Sequence, residues 1–167
     1  MNIDPHSQVK LYGFSPFLNM MVKLYDSKRL PNKFILSGQK GIGKSTIAYH
    51  FINYIFSKNE DHSYLLNKNL ILKDNRSYKL VKNNSHPNFY CIDLQDGKKN
   101  IEISQIREMI NYANKSSFND KPRFVIIDGI EKLNSNSSNA LLKIVEEPNK
   151  NLFFILIHDN QKRISAT

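Results

Sequence analysis

The sequence predicts an α/β fold in which a parallel β-sheet is flanked by helices. Short apolar runs alternate along the chain with segments whose apolar residues recur at helical spacing. This alternation is typical of strands joined by right-handed helical crossovers, and it places a ligand site at the carboxyl ends of the strands. The four predicted strands cover residues 33–37, 88–94, 123–128 and 152–157.

The chain opens with a helix, a strand and a second helix. Ser15-Pro16 indicates an N-cap followed by proline at the first helical position, and Leu30-Pro31-Asn32 ends that helix. Residues 33–37 form a short apolar strand. A second helix is predicted from Thr46 to Phe56, because apolar residues recur there at helical spacing.

Residues 58–85 give the weakest pattern in the chain. They are rich in Lys, Asn, Asp and Ser and contain only short apolar runs, so we expect an irregular insert with room for one short helix. The second strand follows His86-Pro87. Ser104 then has the side chain and position of an N-cap, and it predicts the start of the next helix.

The last elements are two strands separated by a helix. The run from Arg123 to Asp128 is almost continuously apolar, which is typical of a parallel strand covered on both faces. The helix from about Ser137 to Glu147 is predicted to end at Pro148, and the final strand follows it. A length of 167 residues fits a single domain, which we place over residues 1–167.

The glycine loop after the first strand carries the most specific functional signal. Residues 38–46 read Gly-Gln-Lys-Gly-Ile-Gly-Lys-Ser-Thr, which matches the phosphate-loop pattern Gly-x-x-x-x-Gly-Lys-Ser/Thr. Glycines accept positive φ and let backbone N–H groups approach phosphate oxygens, while the following helix directs its positive end at the same anion. The pattern predicts ATP binding through Gly38, Gly41, Ile42, Gly43, Lys44, Ser45 and Thr46.

The same pattern predicts a magnesium ion beside the phosphates. Lys44 supplies a cation for the β- and γ-phosphates, and Ser45 supplies a hydroxyl for Mg²⁺. Asp128 ends the third strand and is the second predicted magnesium ligand. The alternative is that the Asp128 carboxylate caps the turn that follows the strand.

Composition narrows the classes of protein that remain. The formal charge of +9 invites a nucleic-acid-binding surface, but most of the basic residues are lysines spread along the chain, as on a solvated surface. One cysteine, Cys91, excludes an internal disulfide and a cysteine-based zinc site. No apolar run approaches ~20 residues and the N-terminus lacks signal-peptide architecture, so we expect a cytoplasmic protein with no membrane association.

A second motif makes the functional prediction narrower. Residues 139–148 read Asn-Ala-Leu-Leu-Lys-Ile-Val-Glu-Glu-Pro. This resembles the Asn-Ala-Leu-Leu-Lys-x-x-Glu-Glu-Pro signature of bacterial DNA polymerase III clamp-loader subunits, which belong to the AAA+ class of P-loop ATPases. The segments 30–32, 38–45 and 85–90 are similar to the delta-prime branch of that family rather than to its gamma/tau branch.

The resemblance implies an AAA+ nucleotide-binding domain that binds ATP and Mg²⁺. It also implies a hetero-oligomer with other clamp-loader subunits, which loads a sliding clamp on primer-template DNA during DNA replication as part of the polymerase holoenzyme. The clamp is then an indirect partner, and DNA is contacted through the assembly. Many members carry a four-cysteine zinc module where this chain has residues 58–85, so we expect no zinc.

The resemblance also suggests residues for base recognition and catalysis. The family segment matching Val9 to Gly13 lies against adenine, so Leu11 and Tyr12 are candidate base contacts, with core packing as the alternative. Asn160 resembles the sensor position that reads the γ-phosphate, and the alternative is a polar loop residue.

One departure from the family concerns ATP hydrolysis. Active AAA+ ATPases carry a glutamate directly after the strand-ending aspartate, and this chain has Gly129 there. Glu131, three positions after Asp128, is the remaining candidate for water activation from the next turn, a task that requires close placement on the water. The alternative is a solvated carboxylate at the start of a helix.

The resemblance further implies that the chain is an N-terminal fragment. The family continues, from about the position of Thr167, into a Ser-Arg-Cys motif whose arginine reaches the ATP of a neighbouring subunit. A fifth strand, a helical lid and an oligomerising collar would then be missing, which would leave the strand at 33–37 as an open edge.

Three other functions are compatible with the phosphate loop. A P-loop small-molecule kinase would need an acceptor pocket and a base near the loop, and no residue pattern supplies them. A gamma/tau-like clamp-loader ATPase would need the glutamate that Gly129 replaces. A scaffold with a non-hydrolysing or empty nucleotide site is compatible with Gly129.

Overall fold

The computed structural model describes residues 4–115, 121–146, 149–162 and 164. Short 3-10 turns cover Pro5–Ser7, Leu66–Lys68 and Ile130–Lys132. The helices and strands follow one another as α1 (Ser15–Asp26), β1 (Lys33–Gly38), α2 (Lys44–Ser57), α3 (Arg76–Lys82), β2 (Phe89–Ile92), α4 (Ile103–Asn114), β3 (Arg123–Asp128), α5 (Ser135–Glu146) and β4 (Leu152–Asp159).

The chain divides into two compact units. The first consists of Met1–Leu30 and Gly43–His86 and contains α1, α2 and α3. The second consists of Pro31–Ile42 and Pro87–Thr167 and contains the sheet with α4 and α5. The boundary passes through the glycine loop, between Ile42 and Gly43.

The second unit is built on a four-stranded sheet with the order β1-β4-β3-β2. All neighbouring strands in it are parallel, which confirms the predicted α/β fold. The central strands β3 and β4 are largely buried because their residues are mostly Phe, Ile, Leu and Val. In β1, at one edge of this sheet, exposed residues alternate with half-buried ones.

The strands of this sheet do not all end at the same level. Gly38 at the end of β1 pairs with Asp159 at the end of β4. Asp128 at the end of β3 pairs with Ile157, two positions before the end of β4. The carboxyl ends of β1 and β4 are therefore level, and β3 stops short of them.

Helices α4 and α5 pack together in the second unit around an apolar core. The core uses the inward faces of both helices and the central strands, which is the arrangement that their amphipathic sequences predict. Its most deeply buried members are Ile101, Ile106, Met109, Ala113, Val125, Ile127, Leu152 and Phe154.

A buried arginine binds the backbone carbonyls at the carboxyl end of α4. Arg123 is 4% exposed, and its guanidinium donates to three backbone carbonyls. Nη1 donates to Tyr112 at 3.2 Å and Lys115 at 2.8 Å, and Nη2 donates to Ala113 at 3.1 Å. These carbonyls lie in or beside the last turn of the helix, where a cation also interacts favourably with the helix dipole.

The first unit contains a buried histidine on α2. His50 is fully buried, with its Nε2 3.2 Å from the Gln8 carbonyl and its Nδ1 2.8 Å from the Tyr64 hydroxyl. Because a carbonyl only accepts, Nε2 carries the proton and Nδ1 accepts from Tyr64. Burial lowers the pKa of His50 to about 4, and the positive charge of Lys10 lowers it further. The hydrogen bond to the Gln8 carbonyl acts in the opposite direction and raises the pKa.

Residues 58–85 contain the turn Leu66–Lys68 and the short helix α3. The Glu60 carboxylate accepts from the Ser77 N–H at 3.1 Å, the Ser77 hydroxyl at 2.8 Å and the Asn75 amide at 2.9 Å. Asn75 caps α3 by accepting from the Tyr78 N–H at 2.8 Å. A half-buried network of carboxylate, amide and hydroxyl groups therefore fixes the start of α3.

Two predicted helix caps are wrong by one or two residues. The N-cap of α4 is Glu102 rather than Ser104, because Glu102 and Gln105 form a reciprocal capping box. The N-cap of α1 is Phe14, with Ser15 as the first helical residue. The Ser15 hydroxyl accepts a hydrogen bond from the Asn69 amide, a contact between distant parts of the chain and not a cap of α1.

Helix α5 begins at Ser135, two residues before the predicted Ser137. Asn134 supplies the cap, since its Oδ1 accepts from the Ser137 N–H at 2.9 Å. The predicted end of this helix at Glu147 and Pro148 lies outside the described residues.

Candidate functional site

The first half of the glycine loop belongs to the second unit and continues directly from β1. Gly41 has a φ of 81°, and a Cβ built there would meet no atom within 4 Å. The backbone alone therefore requires glycine at this position. The Ile42 N–H donates to the Gln39 carbonyl at 3.5 Å, and the Ile42 side chain is 50% exposed. This half of the loop is a solvent-exposed turn.

The second half of the loop belongs to the first unit and opens α2. Gly43 has a φ of 103° and is the N-cap residue of the helix. A Cβ at Gly43 would lie 3.3 Å from Cε2 of Phe14, so both backbone conformation and space favour glycine. The helix begins at Lys44, two residues before the predicted Thr46, because Gly43 already turns the chain into it.

Lys44, Ser45 and Thr46 form the first turn of α2 and are half-buried. The first N–H groups of a helix have no partner within the helix, and the 14-residue α2 directs its positive end at this turn. A lysine and a hydroxyl on such a turn provide cationic and polar groups for an oxyanion. Their assignment to ATP and magnesium stays a prediction.

Leu11 and Tyr12 differ sharply in exposure. Leu11 is 4% exposed, and its N–H donates to the Asn69 carbonyl at 3.1 Å. The neighbouring Ile71 N–H donates to the Val9 carbonyl at 2.8 Å, so this segment pairs with residues 69–71. Tyr12 is 78% exposed and offers an accessible ring. Packing accounts for Leu11, and the adenine contacts of both residues stay predictions.

Asp128 ends β3 in the second unit, and Gly129 follows it directly. Asp128 is half-buried, and the Gly129 N–H donates to the Ile157 carbonyl at 3.0 Å. Gly129 then turns the chain with a φ of 86° into the turn Ile130–Lys132. A Cβ at Gly129 would lie 2.9 Å from Cε and 3.0 Å from Cδ of Lys132. The Lys132 side chain thus occupies the space where a side chain at position 129 would begin.

The positive φ of Gly129 leads to a prediction for Gly129→Glu. We expect the variant to be destabilised by about 1–2 kcal/mol through backbone strain, because the atoms in its way are the flexible end of the Lys132 side chain, which moves aside. Urea unfolding would measure the loss. Gly97→Glu is the matched control, because Gly97 has a φ of 74° and no atom within 4 Å of the position that a Cβ would take, so we expect a similar loss there. A much larger loss in Gly129→Glu than in Gly97→Glu would show that Lys132 does not move aside.

Glu131 contacts the end of β4. Its Oε2 accepts from the Asp159 N–H at 3.2 Å, and Asp159 is 8% exposed. The Asp159 Oδ1 in turn accepts from the Gln161 N–H at 3.2 Å. Glu131 therefore has a structural partner, which argues against the alternative of a purely solvated carboxylate. Its catalytic role stays a prediction.

Asn160 follows β4 directly and lies at the start of the glycine loop. Its N–H donates to the Gly38 carbonyl at 3.2 Å, and its side chain is exposed. The second unit therefore brings the predicted sensor residue next to the first glycine of the loop. Sequence reasoning did not single out Asp159, although the polar triplet His158-Asp159-Asn160 after an apolar strand marks this strand end.

Metal binding depends on donor groups that can share one ion. Among the residues with described positions, no group of three or more His, Cys, Asp or Glu side chains could hold a metal ion. The Asp128 carboxylate and the Ser45 hydroxyl are oxygen donors of the kind that Mg²⁺ prefers. Their chemistry fits the ion, and their use as ligands stays a prediction.

The sequence matches a known protein family over most of its length. The family model described as "DNA polymerase III, delta subunit" matches residues 14–167. The chain belongs to this family. Its relatives include DNA polymerase III subunit delta' of Pseudomonas aeruginosa, 23% identical over 80% of this chain and 39% of the relative. The delta' subunit of Bacillus subtilis is 25% identical over 89% of this chain and 43% of the relative.

Gamma subunits of DNA polymerase III are also similar. The gamma subunit of Buchnera aphidicola from Acyrthosiphon pisum is 28% identical over 83% of this chain and 36% of the relative. A crystal structure of a gamma subunit-related protein from Thermotoga maritima matches with a TM-score of 0.52 and 19% identity, over 86% of this chain and 40% of that one. This similarity supports the fold of a parallel sheet flanked by helices.

The chain covers only part of the length of its relatives. The chain spans about two fifths of the length of the delta' relatives that it matches. Within the described residues, no helix is both long and apolar enough to cross a membrane. The relatives that it matches are named as subunits of DNA polymerase III.

Proposed function

We propose that this chain provides the nucleotide-binding part of a delta-prime-like subunit of the bacterial DNA polymerase III clamp loader. With other clamp-loader subunits, it helps to load a sliding clamp on primer-template DNA during replication. The family match over residues 14–167 carries this proposal, together with the complete phosphate-loop pattern at 38–46. DNA and the clamp are partners of the assembly in this proposal.

The ligand in this proposal is ATP with Mg²⁺. Lys44 offsets the charge of the phosphates, and the loop backbone from Gly38 to Gly43 contributes N–H donors. Ser45 and Asp128 supply the oxygen ligands for magnesium, whose charge neutralises the triphosphate. The positive φ values of Gly41 and Gly43 support a loop built for close backbone approach.

We further propose that the site holds ATP without hydrolysing it efficiently. Gly129 offers no carboxylate that could orient or activate the attacking water. This feature favours a delta-prime-like role over a gamma/tau-like ATPase, although gamma subunits are among the relatives. The motor activity of clamp loading then belongs to the other subunits of the assembly.

The test is ATP binding by Lys44→Ala, with Lys40→Ala as its matched control. Both lysines lie in the loop segment, but only Lys44 occupies the phosphate-contacting position of the pattern. Isothermal titration with Mg-ATP should show about tenfold or greater weakening for Lys44→Ala, since charge-assisted hydrogen bonds to phosphate are lost. Lys40→Ala should bind as the wild type does. Equal binding by all three proteins would refute the proposed phosphate site.

The assembly role needs a separate experiment. The chain would be co-expressed with the other clamp-loader subunits of its source organism, and ATP-dependent clamp loading on primed DNA would be measured with and without it. We expect co-purification and faster loading. A complex that forms and loads equally well without this chain would count against the clamp-loader role.

A further inference from the structure

The end of β4 is a turn held by two different neighbours. The Asp159 N–H donates to the Glu131 carboxylate, and the next N–H, that of Asn160, donates to the Gly38 carbonyl. The Lys162 N–H closes the turn on the Asp159 carbonyl at 3.0 Å. The backbone that carries the Asn160 side chain is therefore fixed from the β3 side and from the β1 side.

The pairing of β3 with β4 explains why a side chain is needed at this point. In a parallel ladder, the Asp159 N–H would next bond to the carbonyl of Gly129, because the Gly129 N–H already bonds to Ile157. The Gly129 carbonyl instead accepts from the Lys132 N–H at 2.9 Å, since the chain has turned. Glu131 supplies the missing acceptor for a buried N–H group.

We propose that Glu131 is a positioning residue for Asn160. By holding the Asp159 N–H, its carboxylate fixes the direction in which Asn160 presents its side-chain amide to the γ-phosphate of bound ATP. This inference rests on the proposed function, because it requires that the site bind ATP. It assigns Glu131 a role as hydrogen-bond acceptor in place of water activation.

The two roles of Glu131 make different predictions for Glu131→Gln and Glu131→Ala. A glutamine side chain keeps an oxygen that accepts from the Asp159 N–H, but it cannot take a proton from water. A positioning role therefore survives Glu131→Gln and is lost in Glu131→Ala. A general-base role instead predicts that both variants keep the wild-type affinities for ATP and ADP, because removing the base slows hydrolysis and leaves binding unchanged.

The experiment measures equilibrium affinities for Mg-ATP and Mg-ADP by isothermal titration. The variants are Asn160→Ala, Glu131→Ala, Glu131→Gln and the double variant Glu131→Ala/Asn160→Ala, with Glu108→Ala as a control for removing one exposed carboxylate from the second unit. We expect the wild type to prefer ATP to ADP and both alanine variants to lose about tenfold in that preference, with ADP affinity retained. The double variant should lose no more than either single change, because the two residues act through one contact.

Several results would overturn the inference. A wild-type ATP/ADP ratio in Glu131→Ala would do so, as would equal losses in Glu131→Gln and Glu131→Ala. If Glu131→Ala does not fold, Glu131→Asp takes its place, since its shorter side chain draws the acceptor away from Asp159. An unchanged ratio in that variant would also count against positioning. Wild type that binds neither nucleotide refutes the proposed function itself, whereas tight binding of both without preference refutes only this inference.

Discussion

Arg123→Ala is expected to lower the free energy of unfolding by about 3 kcal/mol, because it leaves buried carbonyl groups without their donors. The guanidinium donates to the carbonyls of Tyr112, Ala113 and Lys115 at the end of α4. Its Cζ also lies 5.6 Å from the centroid of the Tyr112 ring. Arg123→Lys should recover only part of the loss. A single ammonium keeps the charge but lacks the planar fork that reaches several carbonyls together.

Urea unfolding of the two variants would measure this effect. Arg107→Ala is the matched control, since Arg107 lies exposed on α4 and its removal changes the charge equally. We expect its unfolding midpoint to stay close to that of the wild type. If Arg123→Ala were as stable as Arg107→Ala, the buried guanidinium would not be holding the end of α4.

Acidification from pH 7 to pH 4.5 is expected to cost about 2.5 kcal/mol of stability through His50 alone. The pKa of His50 is about 4 in the folded protein, against an ordinary value of 6.5, because burial disfavours the imidazolium. The unfolded chain therefore binds a proton below pH 6.5 that the folded chain does not bind. This contribution is complete above pH 6.5 and is lost as the pH falls towards 4.

The measurement is the free energy of unfolding at both pH values for the wild type, His50→Gln and His62→Gln. His62→Gln is the control for the removal of an exposed histidine. In His50→Gln, we expect the loss on acidification to be smaller by about 2.5 kcal/mol, because the group responsible is absent. Parallel pH profiles for all three proteins would show that His50 titrates normally in the fold.

The sheet could be predicted from sequence because its signals are local. The apolar runs that became β1, β3 and β4 are short, bounded by turn residues and composed of strand-forming side chains. The cap of α4 could not be predicted from Ser104 alone, because Glu102, two residues before it, forms a reciprocal pair with Gln105. Nor does sequence show that the Asn69 amide donates to the hydroxyl of Ser15. That contact joins residues far apart in the chain.

In the candidate site too, local features could be predicted from sequence and contacts between distant residues could not. The phosphate-binding pattern specifies Gly38 and Gly43, and Gly43 has the positive φ that favours glycine; Gly41 has it too, at a position that the pattern leaves open. The partner of Glu131 could not be foreseen, because it depends on β3 ending two positions before β4. The buried role of Arg123 was equally hidden, since in sequence it is only a polar residue before an apolar run.

The uneven ends of the strands set a minimum size for any ligand that spans this edge of the sheet. Gly38 and Asp128 lie on strands separated by β4, and the register offsets them by two residues along the strand direction. Two residues correspond to about 7 Å along the strands, and two strand spacings to about 10 Å across them. A lone oxyanion is too small to touch both positions. A chain of linked anionic groups with an associated cation has the necessary reach.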